Sequence, residues 1–220
     1  ASDVYKRQEL NFSANRIQVF PDAVFKMPNL QYLNGHKNLL SNFPKGSDNC
    51  ASLQEINLSF NRIPNLPKEV GNLPNLHTLV LNNNLIRAIP PELDALTELV
   101  TLNMAVNQLQ RIPDAIYKLP KLKNLDVSYN FMTEIPEGIE ALEALEYLDL
   151  SFNQLTKLPD GVCQLVNLKY LKLRGNRIKE MPSQIAKLSN LRELDLKKNS
   201  LTSKQKQAIK AKLPYCKIWF

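Results

Sequence analysis

The residues best suited to chemistry in this chain are aspartates that recur at a regular spacing. Asp126 and Asp149 are 23 residues apart, and Asp195 follows after another 46. Two carboxylates held side by side are typical of general acid–base catalysis. The same position of the period, however, also holds amides at Asn11, Asn34, Asn57 and Asn103. We therefore interpret these aspartates as polar residues of a repeated position, and we predict no catalytic residue among them.

Nucleophilic and metal chemistry have no better support. Ser59, Ser128 and Ser151 share a second repeated position, and a serine nucleophile needs a histidine beside it. The two histidines, His36 and His77, are 41 residues apart, and we place neither beside these serines. We predict that the protein is not an enzyme and holds no metal or cofactor.

The three cysteines also argue against a metal site. Cys50, Cys163 and Cys216 are far apart and do not form a C-x-x-C pair, which disfavours both a zinc site and a disulfide framework. We expect three buried or half-buried thiols. Standard phosphate-binding glycine loops are absent from the sequence.

These residues recur because nearly the whole chain is periodic. Asn returns every 23 residues from Asn15 to Asn199, and Pro does so from Pro21 to Pro182. The shared frame is L-x-x-L-x-L-x-x-N-x-L-x-x-L-P-x-x-I-x-x-L-x-x. Its L-x-L part predicts a short strand with inward leucines, and its Pro-x-x-Ile part predicts a short helical turn. The stacked Asn residues are expected to pair turn backbone groups.

Because a single unit cannot bury its own leucines, the units must stack. We predict an α/β fold, a curved right-handed solenoid. A parallel sheet would line its concave face, and short helices or 3-10 turns would form its convex face.

The frame resembles the leucine-rich repeat pattern over residues 10–201. Its L-P-x-x-I-x-x-L half resembles the 23-residue Ras-group, Ras-suppressor-like class, which implies an intracellular scaffold or adaptor and a cytoplasmic location. The ending I-x-x-x-L-P-x-C-x-I-x-F resembles the C-terminal cap of some bacterial leucine-rich repeat proteins.

The period also divides the chain into segments. Residues 1–8 are predicted to be a non-native leader, because Arg7 occupies a leucine position. Residues 9–201 form nine repeat registers, and residues 202–220 form a cap helix and strand, with a capping box from Thr202 to Gln205. Ser47 and Cys50 fill apolar positions of the second repeat and predict a looser convex segment.

The C-terminal quarter is basic, and aromatic residues precede it. Residues 166–220 carry 14 Lys or Arg against three Asp or Glu. Aromatic side chains beside cationic ones are typical of protein-binding hot spots, and solenoids bind on their concave face. The predicted partner-binding residues are Phe60, Tyr129, Phe131, Tyr147, Phe152, Tyr170, Lys172, Arg174, Arg177, Lys197 and Lys198.

The hypothesis is a non-catalytic protein–protein interaction module, an adaptor or scaffold whose partner is a protein or peptide with an acidic segment. Two alternatives remain open: an extracellular or surface recognition module, and the substrate-recognition fragment of a larger enzyme. No small-molecule substrate is predicted. Nucleic acid is disfavoured because no base-stacking platform or groove-reading helix accompanies the charge. Contact of the basic end with a membrane surface ranks below protein binding.

Overall fold

The computed structural model describes residues 8–20, 24, 27–43 and 50–220. In these residues ten strands form one parallel sheet whose spatial order follows the chain order. The predicted solenoid is confirmed. The predicted leader, apart from Gln8, lies outside the described residues. So does the predicted loose segment around Ser47, apart from its C-terminal part, where Cys50 is fully buried. The strands are β1 Glu9–Asn11, β2 Tyr32–Asn34, β3 Glu55–Asn57, β4 Thr78–Val80, β5 Thr101–Asn103, β6 Asn124–Asp126, β7 Tyr147–Asp149, β8 Tyr170–Lys172, β9 Glu193–Asp195 and β10 Lys217–Trp219.

Each strand presents its middle residue to the core and its two outer residues to the concave face. Leu148, in the middle of β7, is fully buried, whereas Tyr147 and Asp149 are partly exposed. Neighbouring strands pair residues that are 23 positions apart, as in Leu125↔Leu148. The period of the sequence is therefore the register of the sheet, and equivalent positions form columns across it.

The last strand departs from this rule. Glu193 pairs with Lys217 and Asp195 pairs with Trp219, so the register advances by 24 residues between β9 and β10. The cap thus brings Trp219 into the column that contains Asp126, Asp149 and Asp195.

Short helical turns form the opposite side of the solenoid, as predicted. Pro113 is extended (φ −70°, ψ 145°) and precedes helix α1, Asp114–Tyr117. Asp114 lies in the first turn of α1, where the helix dipole favours a negative charge. The 3-10 helices in the described part of the chain include Lys68–Asn72, Pro91–Ala95, Ile139–Ala141, Asp160–Gln164 and Ile185–Lys187.

The predicted Asn column lies at the point where the chain leaves each strand. Asn130 Nδ2 donates to the carbonyls of Met104 and Val127, both at 3.0 Å. Its Oδ1 accepts from the amide of Leu109 at 2.9 Å. One buried amide side chain therefore pairs backbone groups of its own coil and of the preceding coil.

The C-terminal end consists of helix α2, Ser203–Lys212, and β10. The predicted capping box forms: Thr202 Oγ1 accepts from the amide of Gln205, and the Thr202 amide donates to Gln205 Oε1. Ile209 and Leu213 are buried against the core of the last coil. Among the described residues, no helix is both long and apolar enough to cross a lipid bilayer.

Candidate functional site

Tyr129 and Phe152 form a stacked pair on the concave side. They occupy equivalent positions, one residue before the ladder Asn, and both have left-handed backbone conformation at φ 53°. Their ring centroids are 4.3 Å apart and the ring planes differ by 16°. Residues 23 positions apart lie side by side on neighbouring coils, which are only about 4.8 Å apart, so the rings of Tyr129 and Phe152 are in direct contact.

Phe152 also contacts the following coil. A Cβ atom on Gly175 would lie 2.7 Å from Cδ1 of Phe152, so the ring occupies space that only glycine leaves free. Arg174 Cζ is 5.9 Å from the ring centroid of Phe152, and Lys198 Nζ is 6.0 Å from it. We call Tyr129, Phe152, Arg174 and Lys198 the aromatic–cation cluster.

The two rings of the cluster differ in exposure. Phe152 is half-buried between Tyr129 and Gly175, whereas the Tyr129 side chain is 52% exposed. Phe152 therefore supports Tyr129, and Tyr129 presents the larger accessible surface.

The strand residues Tyr147 and Tyr170 form a second aromatic pair on the sheet. Their centroids are 6.2 Å apart. The hydroxyl of Tyr147 donates to Asp149 Oδ2 at 3.1 Å. Burial and the nearby carboxylates of Asp149 and Asp126 raise the pKa of Tyr147, so its hydroxyl remains a proton donor at neutral pH.

Asp126 and Asp149 are directly paired across β6 and β7. Asp126 Oδ1 accepts from the amide and the hydroxyl of Ser128, at 3.0 and 2.7 Å. Asp149 Oδ1 accepts in the same way from the amide of Ser151. Burial, and then the charge of Asp149, raise the pKa of Asp126. These contacts hold the turn after each strand, in agreement with the interpretation of the aspartates as a polar column.

The predicted cations of the last coils have different surroundings. Lys172 forms an ion pair with Glu193, with Nζ and Oε2 2.7 Å apart, so its charge is neutralised within the protein. Lys197 Nζ lies 4.3 Å and Lys217 Nζ 4.5 Å from the ring centroid of Trp219. Trp219 and Lys217 are not among the residues predicted from the sequence, because the 23-residue period ends at Leu201 and gives no register for the cap strand.

Seven of the eleven predicted residues lie outside the aromatic–cation cluster: Tyr147, Tyr170, Lys172 and Lys197, described above, and Phe60, Phe131 and Arg177. Phe60 packs edge-on against His36, with centroids 5.1 Å apart. Phe131 lines a separate shallow depression together with Arg87 and Gln108. Arg177 occupies the same position of the period as Phe131, two coils later.

The expectation that no histidine lies beside the serines is wrong. His36 Nδ1 is 2.8 Å from Ser59 Oγ, since these residues are themselves 23 positions apart. Ser59 Oγ is also 2.6 Å from Asn57 Oδ1, and Ser59 is only 3% exposed. A substrate cannot reach this hydroxyl, so the pair stabilises the turn.

The three thiols are free, and two of them are buried, as expected. Burial raises the pKa of Cys50, Cys163 and Cys216 to about 11 in each case, which keeps the thiols protonated and weakly nucleophilic at neutral pH. In the described part of the chain, no three His, Cys, Asp or Glu side chains come together as a metal site.

The raised pKa of Asp126 predicts a pH-dependent effect on stability. The folded state binds the Asp126 proton more readily than the unfolded chain does, so its contribution is most favourable at low pH. That contribution is lost as the pH rises through the folded-state pKa. Asp126→Asn, which keeps an acceptor for Ser128, is therefore expected to stabilise the protein at pH 7. The gain should disappear below about pH 4, near the ordinary pKa of Asp.

Urea unfolding at a series of pH values measures this difference. The exposed variant Glu134→Gln is the control and should show no comparable gain at pH 7. A lower stability of Asp126→Asn than of the parent at pH 7 would contradict the prediction.

The fold and the concave surface define a class of protein: a parallel-stranded repeat solenoid that presents variable side chains on its inner face. Residues 8–63 and 74–132 match the leucine rich repeat family, and residues 115–211 match the leucine-rich repeat region. The chain belongs to the leucine-rich repeat family, whose members generally act as interaction modules.

Solved structures agree with this assignment. A leucine-rich repeat protein of Leptospira interrogans is 32% identical, with a TM-score of 0.78, over 96% of this chain and 60% of that one. The plant peptide hormone receptor RGFR1 in complex with RGF2 is 31% identical, with a TM-score of 0.78, over 88% of this chain and 32% of the receptor.

A third structure is also from a plant. The ectodomain of the receptor kinase GASSHO1/SCHENGEN3 of Arabidopsis thaliana, in complex with CASPARIAN STRIP INTEGRITY FACTOR 2, is 27% identical with a TM-score of 0.73. It matches over 96% of this chain and 30% of its own length. The chain therefore spans 60% or less of these three proteins. No curated protein matches it.

Proposed function

We propose that this chain is a non-catalytic adaptor or scaffold module that binds a protein or peptide partner on its concave face, at the aromatic–cation cluster. The observation that carries the proposal is the stacking of the exposed Tyr129 on Phe152, with Arg174 and Lys198 beside them. Exposed aromatic rings next to arginine have the composition of binding hot spots.

Packing within the cluster favours affinity. Phe152 is held between Tyr129 and Gly175, so the exposed ring of Tyr129 is already ordered before a partner arrives. A preordered side chain loses little conformational entropy on binding. The partner would bury the free face of Tyr129.

Charge supports an acidic segment in that partner. Among the described residues, neither Arg174 nor Lys198 has a carboxylate within 4.0 Å, in contrast to Lys172. Such uncompensated cations steer an acidic chain toward the surface and raise the association rate.

The similar structures support protein or peptide binding as the general activity. RGFR1 is a peptide hormone receptor solved with RGF2, and the GASSHO1/SCHENGEN3 ectodomain is solved with CASPARIAN STRIP INTEGRITY FACTOR 2. Because that second structure is an ectodomain, an extracellular recognition module is the second candidate.

We further propose that the repeats belong to the 23-residue Ras-suppressor-like class and that the C-terminal cap is of the bacterial type. We also propose that the protein is located in the cytoplasm. The constant 23-residue spacing and the helix and strand after residue 201 support this subclass. Fractionation of the source organism, followed by immunoblotting, separates the cytoplasmic from the extracellular location.

A peptide selection tests the proposed function. Twelve-residue random peptides displayed on phage would be selected on the parent protein, and we expect the selected peptides to be rich in Asp and Glu. Tyr129→Ala should weaken their binding at least tenfold in isothermal titration calorimetry, because truncating a central hot-spot ring costs about 2 kcal/mol or more.

Phe131→Ala is the matched control, since Phe131 is 53% exposed but lies outside the cluster. It should leave the affinity unchanged. If the selected peptides bind Tyr129→Ala as tightly as the parent, or if Phe131→Ala causes the larger loss, the proposed site is wrong.

A further inference from the structure

We propose that the N-terminal end of the concave face binds an arginine side chain of the partner, at Glu9, Tyr32 and Glu55. The proposal rests on the proposed function, since the arginine would belong to the same protein or peptide whose acidic segment lies at the aromatic–cation cluster. It adds a second charged group of that partner, of opposite sign, and the distance between the two groups.

The three residues occupy the first position of three consecutive strands. Glu9 pairs with Tyr32 across β1 and β2, and Tyr32 pairs with Glu55 across β2 and β3. Leu33 and Ile56, in the middle of β2 and β3, are buried, so the first residues of these strands face the concave side. The sheet therefore places Tyr32 between two glutamates.

A shallow depression lies over this part of the sheet. Glu9, Tyr32 and Glu55 all line it, together with Asn34 and Asn57, and its volume is about 320 Å³. Tyr32 is 42% exposed, and both glutamates are exposed as well. The ring and the carboxylates are thus open to a ligand that arrives from solvent.

The two glutamates carry charges that the described residues do not compensate. Among those residues, neither Glu9 nor Glu55 has a Lys, Arg or His nitrogen within 4.0 Å. Glu193 occupies the same position of the period on β9, and there Lys172 Nζ lies 2.7 Å from its Oε2. Equivalent glutamates are therefore paired at one end of the concave face and unpaired at the other.

The two asparagines of the depression are already engaged. Asn34 Oδ1 accepts from the amide of His36 at 3.1 Å. Asn57 Oδ1 accepts from the amide and the hydroxyl of Ser59, at 3.1 and 2.6 Å. These contacts hold the turns after β2 and β3. The glutamate carboxylates are therefore the strong acceptors that the depression offers to a ligand.

A metal ion fits this arrangement poorly. Glu9 and Glu55 are two strand steps apart, or about 9.6 Å, and Tyr32 lies between them. The oxygen ligands of Ca²⁺ lie only about 2.3–2.6 Å from the ion. A wider cation, which contacts the ring as well as a carboxylate, fits the spacing better.

An arginine side chain has the required shape. Its planar guanidinium stacks on an aromatic face, and its N–H groups donate two parallel hydrogen bonds to one carboxylate. On the ring of Tyr32 it would lie one strand step, about 4.8 Å, from the strands of Glu9 and Glu55. A lysine ammonium is a compact, strongly hydrated charge, so it makes poorer use of the ring and the carboxylate together.

The position of this site sets the spacing of charges in the partner. Six strand steps, or about 29 Å, separate β2 from β8, the strand of the coil that contains Arg174. Near the middle of this path, β4 and β5 present only uncharged residues to the concave face. An extended chain rises about 3.3 Å per residue, so about nine residues would separate the partner's arginine from its acidic segment.

Titration of the intact chain with amino-acid amides tests the arginine site by itself. The probes are the N-acetyl methylamides of arginine, lysine and citrulline, and citrulline has nearly the shape of arginine without its charge. We expect the arginine probe to shift the ¹⁵N–¹H resonances of β2 saturably and to bind about threefold or more tightly than the lysine probe. The citrulline probe should cause no saturable shift.

Two substitutions test the assigned groups. Tyr32→Leu removes the aromatic face and keeps apolar bulk, and Glu55→Gln removes one charge without changing the shape of the side chain. Each should weaken the arginine probe about threefold or more. Resonances outside β1, β2 and β3 that match those of the parent show that both variants are folded.

Tyr215→Leu and Glu92→Gln are the matched controls. Tyr215 is 99% exposed and Glu92 is exposed on a convex 3-10 helix, so both changes should leave the affinity unchanged. Equal binding of the arginine and lysine probes, or an equal loss in Glu92→Gln, would overturn the proposal, since either result indicates attraction by charge alone. Saturable binding of the citrulline probe would overturn it too.

The peptides selected on phage test the spacing. We expect them to contain an arginine about nine residues from their acidic residues. Replacing that arginine with citrulline should weaken binding to the parent and have little effect on binding to Tyr32→Leu, because the ring it contacts is then absent. Selected acidic peptides that lack an arginine would overturn the assignment of this site to the partner.

The outcome is distinguishable from that of the proposed function. If the arginine probe fails to bind while Tyr129→Ala still weakens peptide binding, the arginine site is wrong and the proposed function stands. If the arginine probe binds at Tyr32 while Tyr129→Ala has no effect on the peptides, the arginine site stands and the aromatic–cation cluster is not the partner site.

Discussion

Replacing Asn130 with alanine is expected to lower the free energy of unfolding by about 3 kcal/mol or more. The side chain is 5% exposed, and its Nδ2 donates to the carbonyls of Met104, Val127 and Ser128. Its Oδ1 is the acceptor for the amide of Leu109. Alanine leaves these backbone groups without partners in a place that water does not reach. Each unpaired buried group costs about 1–3 kcal/mol.

Chemical denaturation followed by circular dichroism measures the effect. Asn15→Ala is the matched control, because Asn15 has the same position in the period but is exposed. Its Nδ2 donates within its own turn, to the carbonyls of Phe12 and Ser13. We expect a loss below about 1 kcal/mol there, since water can replace the lost hydrogen bonds. Similar losses in the two variants would show that the Asn column does not stabilise the stack.

The second large effect is expected from Leu148→Ala, which should destabilise the protein by about 2–5 kcal/mol. Leu148 is fully buried in the middle of β7, and its partners in register are Leu125 and Leu171 on the neighbouring strands. Truncation removes apolar burial and leaves a cavity that the rigid stack fills poorly. The position is in the seventh of nine coils, so the contacts of both neighbouring coils weaken.

Leu85→Ala is the control for Leu148→Ala. Leu85 is 43% exposed, and its truncation should cost less than about 1 kcal/mol. A repeat stack is held together by contacts between neighbouring coils. Leu148→Ala is therefore also expected to make the coils before it and the coils after it unfold in separate transitions. A single unchanged transition in Leu148→Ala, with the parent's midpoint, would contradict the prediction.

Both predictions concern features that the sequence determines. The 23-residue period assigns Asn130 to the turn column and Leu148 to the inward position of a strand. Side chains alternate across a strand, and a solitary unit cannot bury its leucines. These two constraints leave one arrangement, so the parallel sheet, its register through β9 and most of the core follow from the spacing alone.

The cation positions were predictable only in part. The period identifies Lys172, Arg174 and Lys198 as exposed or half-exposed positions of neighbouring coils. The period does not show which of these three cations forms an ion pair with a carboxylate. Lys172 reaches Glu193 because both lie on adjacent strands, whereas Arg174 and Lys198 lie beyond the strands and find no carboxylate among the described residues. The length and the direction of each side chain decide which cation is paired, and the repeat pattern specifies neither.

The aromatic pair was also predictable only in part. The 23-residue spacing makes Tyr129 and Phe152 equivalent positions, and both are among the predicted partner-binding residues. The tertiary structure decided that Phe152 lies over Gly175 and supports Tyr129, while Phe131, two residues from Tyr129, lines a separate depression. The contact of Trp219 with Lys197 likewise needed the tertiary structure, whereas the 23-residue spacing of His36 and Ser59 already makes these two residues neighbours.

A repeat period specifies which positions become neighbours, because each coil must lie in register on the next. It specifies neither the rotamer of each side chain nor the one-residue change of register at the cap, because these depend on packing that differs from coil to coil. The sequence by itself therefore determined the solenoid, its Asn column and its core. Only the tertiary structure decided which exposed rings and charges meet.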